Sequence, residues 1–446
     1  MIIIIAILVI GYLLIATSSL TKVNKAAIAV FTGTVGWVLY ICYGTHFVMS
    51  QHPMEYTDFL QGAVPTSTAV KHYVAENIFI KYVGRGAEIV LFLLATMTIV
   101  EVLDNNGCFD FFKQLMKTRR SRKLLWTISI LTFLVSANLD NLTVTTMMLV
   151  VMHEIVPSRR LRMLYGSAIV VAANCGGALT VIGDPTGLLL WNQGAVTATS
   201  FSMSMALPCL VTWLLPTWWI ARQLPERIDS QWTSMPYRGD DTNLRVWQRL
   251  LMLLVGIGGL WFIPSFHSIT KLSPFLGALC VLAVLWVVNE LMNRKLMQAD
   301  VMIQRRTPRV LQYGVIQLML FVMGMVLAVG VVRESGIIPW LARQGEFYLQ
   351  NVWILGAMCA AVSSVLDTFA TSITFMALHE ETAQNSIFWP VIAYSTCVGG
   401  NLLMLGSMSG LALMKMERIH LGWYFRHVGW VVAASWIVGM TLLLLV

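Results

Sequence analysis

Long apolar runs recur along the whole chain, and short polar or charged stretches separate them. Because a helix needs ~20 predominantly apolar residues to cross ~30 Å of hydrocarbon, these runs predict membrane-spanning helices. Two further apolar runs, 124–153 and 352–378, are interrupted near their middles by polar residues. The spans predicted to cross are 2–16, 26–48, 87–103, 163–191, 201–221, 250–265, 272–292, 311–332, 388–416 and 425–446.

The first interrupted run holds a polar cluster, 136–146, between two arms that are each too short to cross. Lysine and arginine gather on both flanks of the run, and such clusters mark the cytoplasmic side of a membrane segment. We therefore predict that 124–153 is a re-entrant hairpin whose Asp140-Asn141 tip lies near the middle of the membrane. One long helix with a polar face is the alternative. The flanking basic residues are Lys113, Lys117, Arg119, Arg120, Arg122, Lys123, Arg159, Arg160 and Arg162.

The two halves of the chain repeat the same order of predicted elements, which is three helices, a hairpin, a broken helix and a last helix. The first copy is predicted over 1–222 and the second over 246–446, with a cytoplasmic connector at 223–245. Each copy crosses an odd number of times, so the second copy enters the membrane upside down. Inverted repeats with broken helices that meet at mid-membrane are typical of secondary transporters.

Sequence traces support this repeat. The segment 136–142 aligns with 363–369, and 174–187 aligns with 397–410. Beyond the second hairpin lie Glu380 and Glu381, without nearby Lys or Arg, as expected of an extracytoplasmic opening.

Composition agrees with an all-α integral membrane protein, since 57% of the 446 residues are hydrophobic and only 12% are charged. Most of the 30 Lys and Arg residues fall in loops on one side, which places the amino terminus on the periplasmic side of a multi-pass inner-membrane protein. The first apolar run has no basic segment before it and is interpreted as a spanning helix rather than a signal peptide. Nothing in the sequence suggests nucleic-acid binding, an enzyme or a cofactor.

Glycines and a proline interrupt the predicted helix 163–191 at Gly176-Gly177 and at Gly183-Asp184-Pro185. Because glycine permits non-helical backbone and proline lacks a donor, carbonyl groups near these positions should lose their partners within the helix. Such carbonyl groups are good ligands for a hard cation. Gly399-Gly400, Gly406 and Gly410 are expected to act in the same way in the second copy.

Oxygen-bearing side chains converge on the same region, and we predict a Na⁺ site built from Asp140, Asn141, Thr143, Asp184 and Thr186. Asp367 and Thr368 form the tip of the second hairpin. Carboxylates at membrane depth are costly and mark functional sites, and cation and proton compete for the same oxygens. Glu101, at the inner end of the third helix, is either a proton or gating residue or an interfacial residue paired with a nearby Lys or Arg. His153 is a weaker proton-relay candidate.

These motifs together resemble the NhaD-type sodium/proton antiporters of the ion transporter superfamily. The similarity covers nearly the whole chain in collinear order, through 97–104, 139–143, 173–184 and 399–411. It implies Na⁺ or Li⁺ extrusion in exchange for H⁺, a fold like that of the dicarboxylate permeases, an elevator-like motion and a homodimer. The positions that match ones important to the family are Glu101, Asp140, Asn141, Asn174, Asp184, Thr186, Ser363, Ser407 and Ser409; Gly177 lies in the first glycine motif.

The chain departs from the family pattern at three points, with Thr368 at the second tip, Pro185 and Gly187 around Thr186, and Asn401 in the second glycine motif. The alternative function is a Na⁺- or H⁺-coupled permease for dicarboxylate or arsenite-like anions on the same scaffold. Anion carriers need neutral tips with helix amino termini aimed at the substrate. Acidic tips at both Asp140 and Asp367 favour the cation antiporter.

Overall fold

The computed structural model describes residues 2–21, 23–109, 111, 115–116, 118–228, 244–292, 309–379 and 382–445. Within these residues the chain is almost entirely helical, and a lone β-bridge joins Arg120 to Arg227. The predicted all-α membrane architecture is confirmed. Most of the predicted connector lies outside the described residues, as do Lys113, Lys117, Glu380 and Glu381.

The helices of the first half begin and end as follows: α1 Ile2–Ala16, α2 Ser18–Thr21, α3 Lys25–Cys42, α4 Gly44–Gln51, α5 Pro53–Leu60, α6 Ser67–Tyr73, α7 Ile80–Asn105, α8 Ser121–Ser136, α9 Asn141–Ile155, α10 Arg159–Leu179, α11 Pro185–Asn192 and α12 Ala198–Gln223. A π-helical turn, Val74–Phe79, connects α6 to α7.

The helices of the second half are α13 Val246–Thr270, α14 Pro274–Met292, α15 Arg309–Glu334, α16 Ile337–Gln350, α17 Val352–Val365, α18 Thr368–Leu378, α19 Phe388–Leu403, α20 Met408–Glu417, α21 Leu421–Tyr424 and α22 Trp430–Leu445. A second π-helical turn, Phe425–Gly429, precedes α22.

Eight of the described helical segments are long and apolar enough to cross a membrane. Three of the four arms of the interrupted runs, α9, α17 and α18, are shorter apolar helices, as is most of α1. The segment 124–153 is two helices rather than one, because α8 ends at Ser136 and α9 begins at Asn141. The predicted helix 26–48 is likewise two helices, which meet at Tyr43. The crossing count of ten stays a prediction.

Helices pack in two groups. The first group pairs α3 with α15, and α7 with α14 and α15. The second group holds both hairpins and both broken helices, together with α12 and α22. The two groups touch where α15 lies against α18 and where α7 lies against α11.

Contacts within the second group are reciprocal. The two long halves of the broken helices, α10 and α19, pack against each other. The short second part of each broken helix packs against a hairpin from the opposite repeat of the chain. α11 packs against α18, the second arm of the second hairpin, and α20 packs against α9, the second arm of the first hairpin. Both hairpin tips and both helix breaks are therefore brought to one region.

Candidate functional site

Carboxylates cap the helix that follows each hairpin tip. Asp140 precedes α9, and its Oδ2 accepts hydrogen bonds from the backbone N–H of Thr143 at 3.0 Å and from the Thr143 hydroxyl at 3.2 Å. Asp367 precedes α18, and its Oδ1 accepts from the Phe369 N–H at 3.0 Å. A capping side chain satisfies backbone donors that have no partner within their own helix, so each tip is held in one conformation.

A side chain also caps the helix that follows the break in each broken helix. Asp184 caps α11, where its Oδ2 accepts from the Thr186 N–H at 3.0 Å and Pro185 fills the first helical position. Ser407 caps α20 and accepts from the Gly410 N–H at 3.0 Å. Four helix amino termini, each with a partial positive charge, thus lie in one region with carboxylates at three of them.

Amide side chains join the first tip to the first break and to the second half of the chain. The Asn141 amide donates to Asp184 Oδ1 at 2.8 Å and to Asn174 Oδ1 at 3.3 Å. The Asn174 amide donates to Asn401 Oδ1 at 2.6 Å, and the Ser409 hydroxyl donates to the Asn141 carbonyl at 3.3 Å. The hairpin, the break and α19–α20 are therefore one hydrogen-bonded unit.

One carboxylate oxygen in this unit has no hydrogen-bond partner among the described residues, and it is Asp140 Oδ1. The Asp140 side chain is buried, with 3% of its surface exposed. Leaving a buried polar group without a partner costs about 1–3 kcal/mol, and more when the group is charged. The lone pairs of this oxygen, which accept no hydrogen bond from the described residues, therefore suit a bound cation or a proton.

Hydroxyl groups continue the cluster toward the second hairpin. The Thr186 hydroxyl lies 3.2 Å from that of Ser372. The single Ser372 O–H has two acceptors within reach, the Thr368 carbonyl at 2.8 Å and the Thr396 hydroxyl at 2.9 Å. Ser363 lies at the base of the second tip, where its hydroxyl donates to the Thr396 carbonyl at 2.6 Å. Ser136 makes the corresponding bond to Ala173 at 2.6 Å in the first half.

The glycine pairs do not break the helices, contrary to expectation. Both Gly176 and Gly177 lie inside α10, and the break falls at 180–184. Gly399 and Gly400 lie inside α19, and its break falls at 404–407. The pairs instead allow close approach of other backbone. A Cβ at Gly177 would lie 2.8 Å from the Gly183 carbonyl in the break, and one at Gly399 would lie 2.6 Å from the Ala360 carbonyl of α17. Because glycine lacks a Cβ, it permits close approach of another segment as well as non-helical backbone.

Glu101 stands apart from this cluster. It is half-buried on α7, which packs against α11, α13, α14 and α15. No hydrogen bond or ion pair among the described residues links it to either tip. The described contacts therefore give Glu101 no direct part in cation binding, and its gating role stays a prediction.

Lys25 is a charged neighbour of the second hairpin tip, and the sequence did not predict it. Its ammonium lies 3.4 Å from Asp367 Oδ2 and 3.4 Å from the Leu405 carbonyl, and only 8% of the residue is exposed. The Asp367 carboxylate, predicted to bind an ion or a proton at the second tip, is therefore paired with Lys25. The available signal was a lysine at the very start of an apolar helix, but a partner 342 positions away cannot be read from spacing.

His153 lies outside the cluster, in a polar contact near the ends of α9 and α20. Its Nδ1 lies 3.1 Å from Glu417 Oε1, and the same oxygen accepts from Arg162 Nε at 2.8 Å. The Glu417 residue is buried, with 2% of its surface exposed. This contact fixes the end of the hairpin arm to the end of the second broken helix.

Comparison with known proteins gives a consistent result. The sequence pattern of the CitMHS family, described as Citrate transporter, matches residues 1–399. "Sodium/proton antiporter 1" of Arabidopsis thaliana is 31% identical over 361 residues, which cover 79% of this chain and 61% of that protein. "Sodium/proton antiporter 2" of the same plant is 30% identical over 361 residues, covering 79% of this chain and 84% of that protein.

Bacterial relatives and one solved structure extend the comparison. The "Na(+)/H(+) antiporter NhaD" of Vibrio parahaemolyticus is 27% identical over 369 residues, covering 77% of this chain and 86% of that protein. Neisseria gonorrhoeae MtrF, a structure described as illuminating a class of antimetabolite efflux pumps, superposes with a TM-score of 0.51 at 11% identity. It covers 92% of this chain and 94% of its own, and this likeness shows the fold alone.

Proposed function

The chain belongs to the citrate transporter family, CitMHS, and we propose that within this family it is a sodium/proton antiporter of the NhaD type. It is a multi-pass membrane transporter and not an enzyme. The exchanged ions are Na⁺ or Li⁺ in one direction and H⁺ in the other.

The observation that carries this proposal is the buried Asp140 oxygen without a partner, beside the bonded pair of Asn141 and Asp184. Carboxylate, amide, hydroxyl and backbone carbonyl oxygens are the ligands that hard cations prefer. Asp140, Asn141 and Asp184 would supply the first ligands, and the hydroxyls of Thr143 and Thr186 lie next to them.

Exchange follows from competition at these oxygens. A carboxylate held out of water is costly unless a cation or a proton neutralises it. Cation binding at Asp140 displaces the proton, and proton binding displaces the cation, so each crosses the membrane only in place of the other. The Asn141 amide donates to Asp184 Oδ1 at 2.8 Å and keeps the Asp184 carboxylate close to that of Asp140 through the transport cycle.

Charge at the helix ends favours a cation over an anion as substrate. The four converging amino termini would by themselves attract an anion. Three of them instead carry the carboxylates of Asp140, Asp184 and Asp367. Asp367 is paired with Lys25, and the other two carboxylates offset the positive helix ends and repel a dicarboxylate. The anion permease remains the alternative, because the family description is that of a citrate transporter.

The architecture that we propose around the site is a pair of inverted repeats, 1–222 and 246–446, with the connector on the cytoplasmic side. The reciprocal packing of α11 on α18 and α20 on α9 supports it. We further propose a homodimer in the bacterial inner membrane, on the resemblance to the NhaD-type antiporters. The distribution of Lys and Arg supports a periplasmic amino terminus.

Transport in everted membrane vesicles with a pH-sensitive dye tests the proposal. Adding Na⁺ or Li⁺ to vesicles with an acidic interior should dissipate the proton gradient, and vesicles without the protein should not respond. A response to succinate or citrate, with none to Na⁺ or Li⁺, would favour the anion permease. No response to any of these ions would contradict both functions.

A further inference from the structure

A lysine ammonium sits between the second hairpin tip and the second helix break. Lys25 Nζ lies 3.4 Å from Asp367 Oδ2 on one side and 3.4 Å from the Leu405 carbonyl on the other. A buried charge of this kind is expensive unless it is paired. The two contacts are of the kinds that a bound cation would make there, a tip carboxylate and a carbonyl from the broken helix.

The corresponding place in the first half has the same framework and a different occupant. Asp140 and Asp367 both cap the second arm of a hairpin, and each gives one carboxylate oxygen to that cap. The other oxygen of Asp367 faces the Lys25 ammonium, whereas the other oxygen of Asp140 has no partner among the described residues. The two tips therefore differ in whether the protein itself supplies the positive charge.

The framework around the two tips matches in further contacts. Ser136 and Ser363 donate to carbonyl groups of α10 and α19 at 2.6 Å each. Thr180 in the first break donates to the Ala137 carbonyl at 2.6 Å, and the Thr368 N–H donates to the Gly406 carbonyl in the second break at 2.9 Å. Each hairpin is thus hydrogen-bonded to its own broken helix. The two tips are similar in these contacts, and only the second tip also has a lysine, Lys25, among its described contacts.

We propose that the Lys25 ammonium is a resident cation at the second tip, so that the protein binds a single transported cation, at the first tip. The inference rests on the proposed antiport function and deepens it by assigning the number of cation sites. Lys25 belongs to α3, which packs against α15, while Asp367 belongs to the hairpin group. The positive charge is tethered to the chain and is not released with the substrate.

Equilibrium binding of radioactive Na⁺ to the purified full-length protein tests this inference. The wild type should bind one Na⁺ per protomer. Lys25→Met removes the charge with little change in side-chain length and leaves Asp367 without its partner, so this variant should bind two. The double variant Lys25→Met/Asp367→Asn should bind one, with an apparent Kd within about threefold of the wild type. Lys71→Met, at an exposed position on α6, is the matched control and should bind one.

Two results would overturn the inference while leaving the antiport function standing. Lys25→Met could still bind one Na⁺, or the double variant could lose Na⁺ binding, which would make Asp367 a ligand of the transported ion. If Lys25→Met does not fold, the double variant decides the question alone, since it buries no unpaired charge. A wild type that binds no Na⁺ at all would instead contradict the proposed function, so the two failures are distinguishable.

Discussion

Replacing Asp140 with asparagine removes one negative charge and little else. Asparagine caps helices about as well as aspartate does, so α9 should keep its start at residue 141 and the Thr143 N–H should keep its acceptor. The substitution therefore separates the charge of Asp140 from its structural role. Asp140→Ala would remove both and is not a clean test.

The expected loss follows from Coulomb's law at the first tip. A carboxylate oxygen and a Na⁺ ion about 2.4 Å apart attract by about 7 kcal/mol at an effective dielectric constant of about 20. The net loss of binding free energy is smaller than this, because binding also costs desolvation of the ion and because the asparagine amide oxygen still attracts Na⁺. A net loss of about 3 kcal/mol corresponds to a weakening of Na⁺ binding by more than about a hundredfold.

The assay is Na⁺-dependent proton movement in everted vesicles, with Asp58→Asn as the control. Asp58 is an exposed carboxylate in α5, so its replacement should leave the half-saturating Na⁺ concentration unchanged. Asp140→Asn should show no response at the Na⁺ concentrations that saturate the wild type, with equal protein in the membrane. Transport by Asp140→Asn within about threefold of the wild type would refute the assignment of Asp140 as the central ligand.

Three further predictions concern stability and pH. Gly183→Ala should lower the melting temperature, because the new Cβ would lie 2.6 Å from the Ser136 carbonyl and overpacking costs about 1–3 kcal/mol. Gly258→Ala is the control and should not lower it, since no atom lies within 4 Å of a Cβ at that position. Glu417→Gln should destabilise by about 1.5–3 kcal/mol in thermal unfolding, because Arg162 loses its charged acceptor, whereas exposed Glu76→Gln should have little effect. The hydrogen bond to Glu334 raises the pKa of His52. The stabilisation from the charged His52–Glu334 pair is therefore complete below pH ~6.5 and is lost as pH rises through the raised value. Amide hydrogen exchange in 53–60, corrected for the intrinsic rate, should then accelerate with pH in the wild type and not in His52→Gln. The same pH dependence in His52→Gln as in the wild type would contradict the assignment.

Much of the hairpin architecture could be predicted from the sequence, because polar residues inside apolar runs are rare and costly. The predicted hairpin 124–153 corresponds to two helices over Ser121–Ile155, and 352–378 corresponds to helices over Val352–Leu378. Asp140, Asn141 and Asp184 were predicted to lie together for the same reason. The structure places the Asn141 amide 2.8 Å from Asp184 Oδ1, and Asp140 precedes Asn141 at the same hairpin tip.

What could not be predicted depends on tertiary packing. Glycine has the same signature whether it breaks a helix or lets another segment approach closely. Gly176-Gly177 and Gly399-Gly400 were therefore wrongly predicted to interrupt their helices, whereas Gly183 and Gly406 do lie in the breaks at 180–184 and 404–407. The amphipathic helix Ile337–Gln350 was not predicted, because neither a long apolar run nor a polar interruption marks it. The Lys25–Asp367 pair needed coordinates, since hydropathy places a lysine at a helix end near water.

Calorimetry of Na⁺ binding to the purified protein, repeated across pH and in buffers of different ionisation enthalpy, tests most directly whether cation and proton compete for one set of buried oxygens. We expect Na⁺ binding to release protons to the buffer and the apparent Na⁺ affinity to fall as the pH is lowered. Na⁺ binding of constant affinity across pH, with no proton release, would contradict this expectation.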